Sequence, residues 1–176
     1  MASENGQQQT YRATITSRLQ LNQLQRNVYT LTLLLAGILA GAVVGICLLD
    51  AALTGDGMFY TAYKQLQIRA LILLLPVLGG AVTLISALYL YLIRHHKIAA
   101  GLTSAAILCF ILAAFVTFRF HFPLNAQIMT WSTQTPPNEW MDVQAQWWQA
   151  HLVRTGAIVC GYVLLLLNNQ ALPQAK

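Results

Sequence analysis

The sequence predicts an all-α fold: a bundle of four transmembrane helices, with helices two and four extending beyond the outer membrane face. The chain is 57% hydrophobic and only 9% charged, whereas ordinary soluble domains carry about 25% charge. The apolar residues are also clumped into four runs, at about Tyr29 to Leu53, Ala70 to Ile93, Ile98 to Phe118 and Trp147 to Leu167. Each can cross a hydrocarbon core of about 30 Å, which takes about 20 helical residues. These runs use nearly all the non-polar sequence. They leave one membrane domain over residues 29–168, a polar tail with an interfacial helix over 1–28, and a short tail over 169–176.

Residues 1 to about 12 are polar and Gln-rich and are expected to be irregular. No short apolar region with a small-residue cleavage site lies near Met1, so the first span reads as an uncleaved anchor. From Ile15 to Val28 apolar residues return every three to four positions (Leu21, Leu24, Val28), with Arg18 and Arg26 among them. That spacing suits a short helix at the membrane interface. Gly37, Gly41 and Gly45 of span one share a helix face and offer a smooth strip to another helix of the bundle, a membrane-protein partner or a second copy. The span ends near Asp50, before the turn Thr54-Gly55-Asp56-Gly57.

Helix two is expected to run from Met58 to Ile93, about 54 Å at 1.5 Å per residue. It would begin outside the bilayer with Phe59, Tyr60, Tyr63, Lys64 and Gln67, and be kinked by Pro76 and Gly79-Gly80. Arg94-His95-His96-Lys97 forms the next turn. Span three ends in Phe118-Arg119-Phe120-His121-Phe122-Pro123, where Pro123 is expected to stop regular helix. Leu124 to Trp131 then forms a short interfacial helix, and Thr135-Pro136-Pro137 a turn. Asn138 is a candidate N-cap, with Glu139 in the first turn of a helix that continues to Leu167.

The net charge of +5 raises nucleic acid as a partner, but its distribution excludes it. With four spans, one side holds Arg12, Arg18, Arg26, Arg94, Lys97 and Lys176 against Glu4 alone. The other side balances Lys64, Arg69, Arg119 and Arg154 with Asp50, Asp56, Glu139 and Asp142. The positive-inside bias puts both termini in the cytoplasm, in a plasma (inner) membrane, where basic side chains meet anionic headgroups of the lipid bilayer. Cys47, Cys109 and Cys160 lie inside apolar runs without CxxC spacing and read as small hydrophobes.

The candidate site follows from depth. Trp147 and Trp148 suit an interfacial belt. Counted inward at 1.5 Å per residue, His151 sits about 5 Å and Arg154 about 10 Å deeper. A cation there costs roughly 2.5–3.5 kcal/mol unless a partner or a wet cavity receives it. Asp50 reaches a similar level, and an Arg154–Asp50 ion pair would relieve both desolvation costs. His121, Arg119 and Asn125 arrive at the same layer from span three, and Tyr162 shares the stripe of Trp147 and Arg154 on the last helix. The bland alternatives are an Arg154 that snorkels to headgroups, tryptophans that serve only as a belt, and histidines that lock helices together. Histidines thirty residues apart have no recognised metal spacing, and no metal is expected. No nucleotide loop or redox-cofactor motif is present, so no cofactor is expected either.

Phe122-Pro123-Leu124-Asn125, then Trp131, a Pro-containing loop, Trp140, Trp147 or Trp148, and His151-x-x-Arg154-Thr155 resemble the membrane family that includes the anthrone oxygenases. The resemblance covers about residues 30–168. It implies a compact four-helix bundle and, for some members, oxygen insertion into an activated polyketide carbon without an evident metal or flavin. On that basis His151 or His121, with Asp50 beside them, would supply the base. Arg154 and Asn125 would steady an enolate oxygen, and Trp131, Trp147, Trp148 and Tyr162 would wall a flat lipophilic small molecule. The rival functions are a non-catalytic subunit held in a larger membrane complex through the Gly37/Gly41/Gly45 face, and a small transporter.

Overall fold

The computed structural model describes residues 2–53 and 55–171, with side chains over 23–53 and 55–168. The expected C-terminal tail from 172 onward, and the side chains of the expected interfacial helix before Gln23, lie outside the described residues. All regular structure described is helical: α1 (Ala2–Ala51), α2 (Gly57–Leu71), α3 (Leu74–Ile93), α4 (Lys97–Val116), a π-helical turn (Thr117–His121), α5 (Phe122–Met129) and α6 (Trp140–Ala171). Four segments are long and apolar enough to cross a membrane: Gln23–Ala51, Leu74–Ile93, Lys97–Met129 and Trp140–Asn168. This is an integral membrane protein built as a four-helix bundle.

The helices pack as a ring, α1 on α3, α3 on α4, α4 on α6 and α6 back on α1. The core runs along its axis through Leu39, Val43, Val82, Phe110, Ile158 and Leu165. One end, called lower here, is closed by Tyr29 stacked on Tyr89 at 5.0 Å, and by the Tyr29 hydroxyl donating to the Leu165 carbonyl at 2.8 Å. Asn168 donates to Thr103 at 2.6 Å at the same end. Short connections and antiparallel neighbours then place Asp50, α2 and α5 together at the upper end.

Three local features differ from the sequence expectation, each for a physical reason. Residues 2 to about 12, expected to be irregular, are helical, and the helix expected to lead into span one is continuous with it, in a single α1. Helix two is split at Ile72–Leu73, four residues upstream of Pro76, because proline withholds the N–H that Ile72 would accept and its ring crowds that carbonyl. Pro123 does not end its helix. The π-helical turn takes up one extra residue, with Phe122 N–H donating back to the Thr117 carbonyl, and Pro123 enters α5 in its first turn, where no donor is required.

Two glycine regions are sorted by their neighbours. A Cβ at Gly37 would stand 3.2 Å from the Tyr162 hydroxyl, so this part of the strip is used within the bundle. Gly41 and Gly45 have nothing within 4 Å. At the upper end, Asp56 caps α2 by accepting from the Phe59 amide at 2.9 Å. Helix α6 begins at Trp140, two residues after the expected cap at Asn138, with the Trp140 amide donating to the Pro137 carbonyl.

Candidate functional site

The buried face of α2 carries Tyr60, Thr61, Lys64, Gln65 and Ile68, at the i, i+4 and i+8 spacings of one helical stripe. Gln65 docks this face on α5 by donating to the Ile128 and Trp131 carbonyls at 3.0 and 2.9 Å. That docking drives Lys64 into the upper end of the bundle, where it is only 2% exposed. Its ammonium pairs with Asp50 at 2.6 Å, donates to Gln67 Oε1 at 2.9 Å and sits 3.2 Å from the centroid of the Trp147 ring. Asp50 therefore pairs with Lys64, and the Arg154–Asp50 ion pair expected from depth does not form among the described residues. Depth set the level correctly, but the folded-over α2 supplied a nearer cation. Burial pushes the Lys64 ammonium down to about 8, and the Asp50 carboxylate only partly offsets this.

Beneath Lys64, one aromatic and imidazole stack fills the layer. Trp147 lies over His151 with ring centroids 4.9 Å apart, and His121 meets both rings edge-on, at 5.0 Å from Trp147 and 6.0 Å from His151. The Trp147 indole N–H donates to Asn125 Oδ1 at 2.9 Å, which leaves the Asn125 amide N–H groups as donors. Arg154 Nη2 lies 2.8 Å from His151 Nδ1. A guanidinium can only donate, so Nδ1 accepts. His151 is then neutral and protonated on Nε2, which donates to the Val43 carbonyl at 3.2 Å; Thr155 Oγ1 stands 3.5 Å from the same nitrogen.

The two histidines are thus unlike. His151 is fully buried with both nitrogens engaged. His121 is 1% exposed, and neither of its ring nitrogens has a hydrogen-bond partner; the Val116 carbonyl is near enough to interact but outside bonding geometry. Arg154 is buried too, and its Nε is also without a partner. Buried polar atoms are normally satisfied. His121 and Arg154 share the unpartnered state with the Tyr60, Thr61, Ser86 and Tyr89 hydroxyls and Asn168 Oδ1, but of these only His121 and Arg154 lie in this layer.

Space around the layer falls into three parts. A cavity of about 40 Å³ is walled by His121, Asn125, Trp147 and Arg154. Below it, a cleft of about 350 Å³ occupies the upper half of the bundle interior, with Leu39, Gly79, Gly80, Phe110, Ala114 and Arg154 in its walls. Leu75, Pro76, Thr117 and Arg154 line both, so the two adjoin across these side chains. Above, a groove of about 400 Å³ is lined by Asp50, Tyr60, Lys64, Gln144, Trp147 and Trp148.

Of the residues singled out from sequence, His121, Asn125, Trp147, His151 and Arg154 come together in this layer, and Asp50 and Trp148 border it from the groove. Tyr162 does not join them. It lies about 12 Å down the helix from Arg154 and packs against Gly37 and the core. The Trp131 ring packs at the edge of the Ile128–Trp147 cluster and lines none of these three spaces. Arg119 is exposed, over the Phe120 ring. Lys64 and Gln67, expected in the amphipathic first turns of helix two, also border this layer; the signal for the burial of Lys64 is its place on the same stripe as Tyr60 and Ile68. Among the described residues no group of three or more His, Cys, Asp or Glu lies close enough to hold a metal ion.

The family model described as anthrone oxygenase matches residues 70–164, which contain α3, α4, the π-helical turn, α5 and α6 as far as Leu164, Arg154 included. No curated protein and no solved structure matches the chain.

Proposed function

This chain belongs to the anthrone oxygenase family, and from that premise we propose that its buried layer oxidises an activated methylene of a polycyclic aromatic ketone with dioxygen. The observation that carries this reading is the orphaned imidazole of His121 beside the orphaned Nε of Arg154.

In an anthrone the reacting CH₂ lies between two aryl rings, and loss of one proton delocalises charge onto the ring carbonyl oxygen. A neutral His121 has a free lone pair to take that proton. Arg154 Nε–H and the Asn125 amide are the donors for the oxygen as it becomes negative, and in a dry layer such donors are worth far more than in water. His151 acts through Arg154, fixing the guanidinium by accepting from Nη2. The enolate carbon then gives its electrons to dioxygen and forms a C–O bond. His121 returns its proton to the distal peroxide oxygen. Loss of the remaining C–H proton with cleavage of the O–O bond yields C=O and water, so CH₂ plus O₂ balances C=O plus H₂O. Trp147 and the His151 ring supply flat walls. We further propose the orientation with both termini in the cytoplasm of a plasma membrane, supported by the excess of basic residues at the lower end.

The test is oxygen uptake and quinone absorbance with an anthrone, on protein in lipid nanodiscs. Wild type should consume one O₂ per quinone formed. His121→Ala should lower kcat by about 10²-fold or more, the usual worth of a general base, and Arg154→Leu should do likewise. Turnover at the wild-type rate in His121→Ala would remove the assigned base.

A further inference from the structure

The cleft next to Arg154 has features that bear on how a ligand reaches the layer. Its walls come from residues inside the membrane-spanning segments. Gly79 and Gly80 on α3 face Ala113 and Ala114 on α4, so the gap between these helices is left open by residues with little or no side chain. The residues at its margin, Leu84, Ile111 and Phe118, are 73%, 51% and 61% exposed, which in a bilayer means exposed to acyl chains. The two hydroxyls in the wall are turned away from the space: Thr83 bonds the Gly79 carbonyl and Thr117 the Ala113 carbonyl, both at 2.8 Å. That leaves Arg154 as the polar group with an uncommitted donor in an otherwise apolar chamber. On the other side, the groove that carries Asp50 and Lys64 meets the layer only at Trp147, which is bonded to Asn125 and covered by the Lys64 ammonium. Trp147 therefore stands between that groove and the layer.

We propose that the α3–α4 cleft is a lateral doorway and binding chamber, through which the protein takes a membrane-dissolved ligand directly from the bilayer. The ligand class is set by the chamber: a flat, apolar body with one acceptor or anionic oxygen, inserted oxygen-first toward Arg154. The volume of about 350 Å³ is at the lower end for a small-molecule pocket and suits a compact ring system rather than a long-chain lipid. This rests on the oxygenase reading above for the fate of the ligand, but not for its path.

The test uses binding rather than turnover. An uncharged hydroxyanthraquinone, which has the ring system without the reactive CH₂, is titrated against protein in nanodiscs by quenching of tryptophan fluorescence. A Cβ at Gly80 meets nothing within 4 Å, so the side chain of Gly80→Phe starts from open space in the chamber wall. Ala114→Phe plugs it from the opposite wall. Either plug, in protein with an unchanged melting temperature, should weaken binding at least tenfold. A sulfonated anthraquinone, which stays in water, should not quench wild type at concentrations that saturate with the uncharged one. Wild-type affinity in both plugged variants, or tight binding of the sulfonate, would overturn the doorway. His121→Ala should bind normally. If wild type binds the quinone but oxidises no anthrone, the oxygenase reading fails and the doorway stands; if both plugged variants bind like wild type while wild type oxidises the anthrone and His121→Ala does not, the reverse holds.

Discussion

At the scale of single residues, the upper end of the bundle is organised by an ion pair that tertiary docking creates. Lys64 and Asp50 are both nearly excluded from solvent, with side chains 2% and 5% exposed. Removing one partner of such a pair leaves an uncompensated charge and costs about 3–5 kcal/mol, whereas replacing both with apolar groups is often neutral or stabilising. Lys64→Met should therefore lower the melting temperature clearly, and Lys64→Met combined with Asp50→Leu should recover most of the loss. The pH dependence has a definite sign. The folded-state value of Lys64 is lowered from 10.5 to about 8, so the folded state holds this proton more weakly than the unfolded chain. Below about pH 8 the full cost of burying the ammonium is present; as pH rises from 8 to 10.5 it is relieved, by about 3 kcal/mol in all. Wild type should thus gain stability relative to the double variant across that window, measured by thermal melts in detergent, even as neutral Lys64 releases Asp50 and the Trp147 ring. A relative loss over the same window would show that the ammonium is not buried as described. The level of Asp50, His151 and Arg154 followed from counting residues along helices, because helical rise is nearly constant. The pairing did not, because it depends on α2 folding over the bundle, and Gln65 bonding to the Ile128 carbonyl of α5 and the Trp131 carbonyl just beyond it is a contact between segments more than sixty residues apart.

At the scale of elements, the spans themselves were readable because a hydrocarbon core demands long apolar runs. What the runs did not reveal is how two prolines act. Pro76 breaks its helix at Ile72–Leu73, on the N-terminal side where its missing donor is felt, while Pro123 is absorbed by the π-helical turn that carries His121 inward. The same runs do not distinguish glycines that touch a neighbour from those that do not. Gly161 is the tight contact between α4 and α6: a Cβ there would stand 2.8 Å from the Phe110 ring and 3.2 Å from the Ala106 carbonyl oxygen. Phe110 is buried and the carbonyl is main chain, so neither gives way readily. Gly161→Ala should destabilise by about 1–3 kcal/mol, the usual cost of overpacking. Gly41→Ala, with nothing within 4 Å, should stay within about 0.5 kcal/mol of wild type. Thermal unfolding of the two variants side by side checks this, and equal effects would mean that the α4–α6 contact is looser than described.

At the scale of the whole molecule, the ring of helices is asymmetric from end to end, and that asymmetry couples orientation to ligand access. The lower end is sealed by Tyr29, Tyr89, Ile93 and Leu165, whereas the cleft is walled by residues 75–84 in the upper half of α3 and by residues 110–118 at the upper end of α4 and the start of the π-helical turn. A lateral opening there faces one leaflet only. With both termini in the cytoplasm, as proposed, that leaflet is the outer one, and a membrane-dissolved ligand arriving from outside the cell meets the doorway without crossing the bilayer. The orientation is accessible to a direct measurement. In a background with Cys47, Cys109 and Cys160 replaced by alanine, a single cysteine is placed at Thr133, exposed in the connection between α5 and α6, or at His95, exposed in the turn between α3 and α4. A membrane-impermeant maleimide should label Thr133→Cys in intact cells and His95→Cys only after the membrane is opened. The opposite pattern would turn the molecule over, leaving the chemistry of the His121–Arg154 layer unchanged but moving the doorway to the cytoplasmic leaflet, so that its ligand would have to be one made inside the cell.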